Sequence, residues 1–138
     1  MAAGNIRIGG ASGFWGDSPE GARQLILSGE VDYVVFDYLA EITMSLLGRA
    51  RAKDPAMGYA PDFIADVIKP FARVIAERKL KIISSAGGVN PIACKEAIER
   101  ELAAQGVSLT VAAVIGDDIS PLVPELRQED VKDMKSGA

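Results

Sequence analysis

Two serines, two glycines and an asparagine follow one apolar run, at Ser84-Ser85-Ala86-Gly87-Gly88-Val89-Asn90. Backbone N–H groups of such a turn suit a carbonyl oxygen or an anion, as in an oxyanion hole. A second loop, Gly10-Ala11-Ser12-Gly13-Phe14-Trp15-Gly16, offers close backbone approach beside two large apolar rings. Carboxylates close two other apolar runs: Asp37, with Glu41 a turn later, and the pair Asp117-Asp118. Such groups serve as general bases, or as oxygen ligands for a hard divalent cation. Adjacent residues of an extended chain point oppositely, so one of Asp117 and Asp118 faces a common pocket; the candidate proton-handling groups are Asp37, Glu41 and Asp117. Gly10, Ser12, Gly13, Phe14, Trp15, Ser85, Gly87, Gly88 and Asn90 are the candidate ligand contacts.

Each feature also has a plainer reading. Glycines at strand ends serve tight turns, Phe14 and Trp15 can cover a core or meet a subunit, and acidic residues cap helices. Cys94 sits one turn into a helix, where a thiol can be activated. Its neighbours Ile92, Ala93 and Ala97 favour a small core residue instead.

The chain has no histidine and one cysteine. Serine–histidine and cysteine–histidine catalysis, histidine-ligated zinc and an internal disulfide therefore cannot be built from it. The spacing of Gly10, Gly13 and Gly16 is neither the dinucleotide fingerprint nor a P-loop. No Tyr-x-x-x-Lys pair occurs, although Asp37 stands where a ribose-binding acid would. A net charge of −4 argues against general binding to nucleic acid or an anionic membrane. The single cysteine and the lack of an apolar signal or spanning run lead us to expect a cytoplasmic protein.

The elements that must position these residues alternate. Strands are expected at residues 6–8, 33–36, 81–84 and 109–115. Helices are expected from Asp17-Ser18-Pro19-Glu20 to Gly29, from Glu41 to Asp54, from Pro61 to Arg78 and from Asn90 to Ala104. Ala22, Leu25 and Ile26, then Ile42, Leu46 and Leu47, then Ile64, Val67, Ile68, Phe71, Val74 and Ile75 form the apolar faces. Pro70 should kink its helix. This order predicts an α/β, Rossmann-like fold with a four-stranded parallel sheet over residues 1–125, and a polar tail or the start of a continuation over 126–138. Ligands of such sheets bind at the carboxyl ends of the strands, where all these turns would gather.

Arg7 to Asp17, Asp32-Tyr33 through Asp37 to Glu41, Ser85 to Pro91 and Gly116-Asp117-Asp118 together resemble the acyclic terpene utilisation (AtuA-type) family, in the right order and over nearly the whole chain. Its members are associated with bacterial breakdown of citronellol and geraniol and with acyl-CoA gene neighbourhoods. The resemblance implies the amino-terminal portion of longer proteins. It also implies a pathway acting on an acyl-CoA or related carboxylated intermediate, and a homo-oligomer or a complementary subunit. A hydration, dehydration or other lyase step is what the available carboxylates and glycine turns suit. A noncatalytic module docking a partner through Phe14 and Trp15 is the alternative.

Overall fold

The computed structural model describes residues 4–129 and 132–137. Three parallel strands, β1 (Ile8–Ser12), β2 (Tyr33–Phe36) and β3 (Lys81–Ser84), form a sheet in that order. The helices are α1 (Glu20–Ser28), α2 (Glu41–Lys53), α3 (Lys69–Arg78), α4 (Pro91–Ala104) and the short α5 (Val123–Gln128). The α/β alternation is thus as expected through α4. Val34 and Phe36 of β2 lie fully buried at the centre, against Ile26 of α1 and Phe63 and Val67 ahead of α3.

Local sequence explains most boundaries. Gly29 ends α1 in the left-handed conformation (φ 73°). The Arg78 guanidinium donates to the carbonyls of Ile26 and Leu27 at 2.7 and 2.9 Å, which ties the end of α3 to the end of α1. Pro70 acts as expected, in a particular form. It lacks the N–H of an α-helical bond, and the chain before it takes π-helical register over Phe63–Ile68, with the Lys69 N–H reaching the Ile64 carbonyl. That extra residue turns Phe63 into the core, where its ring meets Phe36 edge-on at 5.3 Å.

Three expectations need correction. The first strand is Ile8–Ser12 and not residues 6–8, so Gly10, Ala11 and Ser12 of the expected loop belong to the strand and pair with β2. The buried face of α2 is Thr43 and Leu47, while Ile42 and Leu46 point outward at 75% and 48% exposure. More consequentially, residues 109–115 form no strand. Residues 107 to 114 keep the two-residue alternation of a strand, with Val107, Leu109, Val111 and Ala113 half-buried and the residues between exposed. They do not pair with β3, because a cavity of about 760 Å³ lies between them, bounded by Lys81 to Ser84 on one side and Ser108 to Val114 on the other. Beyond Pro121 the chain makes α5, which sequence periodicity did not reveal. Of the expected polar tail, Asp130, Val131 and Ala138 lie outside the described residues.

The turn after β3 is clamped from beside. Ala60 N–H donates to the Ala86 carbonyl at 2.8 Å and Val89 N–H to the Gly58 carbonyl at 2.9 Å. Gly88 adopts φ +54°, and a Cβ there would collide with Leu47 Cδ1 and stand 2.6 Å from the Gly58 carbonyl oxygen. Gly88→Ala should therefore cost about 2–4 kcal/mol of stability through strain and overpacking. Gly10 is open, with nothing within 4 Å of an added Cβ. Gly10→Ala should stay within about 0.5 kcal/mol of the parent in urea titrations.

Candidate functional site at the carboxyl edge of the sheet

Parallel pairing brings the ends of β1, β2 and β3 to one edge. The register matches Ser12 with Phe36 and Phe36 with Ser84, so the residues that follow each strand become neighbours. A register shift between Gly10 and Ser12 marks a bulge in β1, a device that re-aims side chains next to sites.

Ser85 joins two of these ends. Its N–H donates to the Phe36 carbonyl at 3.1 Å, continuing the β2–β3 ladder by one residue. Its hydroxyl accepts from the Tyr38 N–H at 2.9 Å and donates to Asp37 Oδ1 at 3.3 Å. The same Asp37 oxygen accepts from Leu39 N–H at 3.3 Å. The Ser85 proton is thereby committed to a carboxylate, which makes Ser85 a holder of Asp37. Asp37 itself is exposed, and its second oxygen has no protein donor among the described residues.

The β1 loop lies beside this pair. Gly13 N–H donates to Asp17 Oδ2 at 3.0 Å and Ser18 N–H to Asp17 Oδ1 at 2.7 Å, so Asp17 braces the loop. An added Cβ would meet nothing within 4 Å at Gly10, Gly13 or Gly16. Their lack of side chains is not demanded by packing, although Gly16 at φ +94° is demanded by conformation. Phe14 is 57% exposed. Trp15 differs: its indole N–H donates to Asp62 Oδ2 at 2.8 Å and its ring packs on the core.

The other expected residues are spread more widely. Glu41 stands exposed in the first turn of α2, and Asp117 is exposed at the lining of the large cavity, which Gly87 and Gly88 also line. The Asn90 amide is committed to structure: it donates to the Pro55 and Met57 carbonyls at 2.9 and 2.8 Å and caps α4 at Ala93. Among the described residues, no three acidic or thiol side chains converge as ligands for a metal ion. Burial pushes the Cys94 thiol up to about 11, which suits the core role.

One cluster escaped sequence reasoning. Tyr38 is buried, and its phenol shares a small recess with Ser12, Asp17, Asp62 and Asp66. Burial chiefly, then the charges of Asp62, Asp66 and Asp17, push the phenol up to about 12. The Ser12 hydroxyl, buried beside the phenol, opposes that rise as its hydrogen-bond neighbour and has no closer partner among the described residues. Asp62 and Asp66, four apart on one helix face, were the available signal.

The fold defines an α/β domain with a three-stranded parallel sheet whose turns gather at one edge. The chain matches the model of the "Acyclic terpene utilisation family protein AtuA" over residues 6–138 and belongs to that family. No curated protein and no solved structure matches it. No helix among the described residues is long and apolar enough to cross a membrane.

Tyr38 supplies a pH signature. Its folded-state value lies above the ordinary 10.0, so the native state holds the phenolic proton more tightly than the unfolded chain does. Its contribution is complete below pH 10 and is lost as pH climbs to about 12. Stability of Tyr38→Phe should fall less steeply across that window than the parent's, as read by denaturant midpoints at stepped pH.

Proposed function

We propose that this protein is the amino-terminal part, or a subunit, of a catabolic enzyme in acyclic terpene utilisation. Its substrate would be a branched acyl-CoA or a related carboxylated intermediate. The observation that carries the reading is the Ser85 bridge, which holds the exposed carboxylate of Asp37 at the sheet edge beside the open loop at Gly13 that follows β1. Membership of the AtuA family supplies the pathway.

In this reading the glycine loop and the β3 turn receive the thioester oxygen or a phosphate, and Phe14 meets the branched chain. The step is a hydration, a dehydration or another lyase reaction. For hydration, Asp37 takes a proton from water as the water oxygen bonds to the alkene carbon distal to the thioester. The protonated Asp37 then gives that proton to the carbon next to the carbonyl, so that the elements of one water are added and Asp37 returns to its carboxylate. Asp117 and Glu41 stand as further proton-handling groups, and a divalent cation would have to be held by fewer than three protein carboxylates. Assembly with further copies or with a complementary subunit belongs to the same proposal.

A second reading, a noncatalytic docking module, draws on the exposed ring of Phe14. Trp15 supports it less, since its indole is bound to Asp62.

Calorimetry with isovaleryl-CoA separates the two. Saturable heat is expected, and Gly13→Val should weaken affinity about tenfold, near 1.4 kcal/mol, by filling the open space. Asp37→Asn should keep isovaleryl-CoA binding within about threefold while abolishing the loss of enoyl-thioester absorbance from the unsaturated substrate 3-methylcrotonyl-CoA, since it removes only the proton acceptor. Absence of saturable heat from the parent chain would overturn the acyl-thioester reading.

A further inference from the structure

We infer that the cavity between β3 and residues 108–114 is a slot for one added β-strand, supplied by another polypeptide segment with aliphatic alternate residues and acidic flanks. Both walls of the slot are extended backbone. On one side, the N–H groups of Lys81 and Ser85 reach back to carbonyls of the β2 side, at Asp32 and Phe36. Strand alternation then turns the backbone groups of Ile82 and Ser84 toward the cavity, at an edge that no strand covers. On the other side, residues 108–117 make no backbone–backbone hydrogen bond among the described residues, although Leu109 and Val111 pack on the core. An extended run that anchors its side chains yet leaves its main chain unpaired is free to exchange bonds with water for bonds with an added strand.

What fits between two such walls is itself extended backbone, since only that satisfies both edges at once. The lining selects its side chains. Ile82, Ile98, Leu109 and Val111 make the slot apolar within. Lys79 and Lys81 line it without an ion pair among the described residues, on a chain whose net charge is −4. These lysines favour a strand with acidic ends. A second copy of this chain fits poorly: its own extended run, 108–114, is anchored to the core through Leu109 and Val111. Insertion would give a five-stranded sheet, with the present 108–114 as its outer strand and the added strand ending beside Ser85, which lines the same cavity.

Hydrogen exchange on the full chain tests this, with the capped peptide acetyl-Glu-Val-Thr-Val-Thr-Val-Glu-amide as probe. The Ile82 and Ser84 amides and residues 108–114 should exchange freely in the chain alone, while Ile83, which faces β2, stays protected. With the peptide, both walls should slow together by roughly tenfold or more. A central proline in the peptide should abolish the effect, and lysine in place of its glutamates should weaken it. Protection of both walls in the chain alone at high dilution would mean that they close on each other, and would overturn the inference. So would protection that rises with protein concentration alone, which assigns the slot to a second copy. Protection of one wall only, or none with the peptide, would equally refute it.

Discussion

The pairing of β2 with β3, carried one residue past the strands by Ser85, is the constraint on which the edge depends. β2 is the central strand, with Val34 and Phe36 fully buried, so its position is set by the core. Ser85 hydrogen-bonds to the end of that strand through both its main chain and its hydroxyl. The direction of Asp37 is thus inherited from core packing. A hydroxyl that accepts from a backbone N–H and donates to a carboxylate is satisfied on both sides, and such fully used polar groups rigidify their surroundings.

The glycines divide by the work they do. Gly88 is required where it stands, wedged against Leu47 and the Gly58 carbonyl, and the clamp from residues 55–60 holds the whole β3 turn. Gly10 and Gly13 face open space. Glycine-rich turns of similar appearance in the sequence therefore have different meanings. One is built for packing, and the other leaves its backbone accessible from outside. The contrast makes the β1 loop the better place for a ligand's oxygen, and the β3 turn the support that positions Asp37.

Much of this fold was legible because its signals are local. The second and third strands, the helix starts at Pro19-Glu20 and Asn90-Pro91, the Gly29 stop and the effect of Pro70 each rest on residues within one turn of the feature, whereas the first strand runs on into the glycines that looked like its loop. The fourth strand failed for a nonlocal reason. Val107 to Val114 has strand alternation, but alternation reports only which side chains face inward, not whether a neighbour lies within bonding reach. Outward-facing Ile42 and Leu46 were misjudged similarly: helix periodicity shows that apolar residues share a face, and Thr43 with Leu47 won the core. At the site, Asp37 and Ser85 were both legible as candidates, yet their bond spans 48 residues. The Tyr38 recess depends on Asp62 and Asp66 arriving from a helix whose register was shifted by the π-helical turn. Pairing across elements is decided by tertiary geometry, which composition and spacing do not carry.

The central claim is that an acyl thioester meets this protein at the carboxyl edge, between the open β1 loop and the Ser85-held Asp37. Mapping backbone amide shifts by nuclear magnetic resonance during titration with isovaleryl-CoA tests it most directly. The account predicts saturable changes concentrated at Gly10 to Phe14, Asp37 to Leu39 and Ser84 to Gly88. Changes confined to the outer face of α2 or to α5, or no changes at saturating ligand, would contradict it.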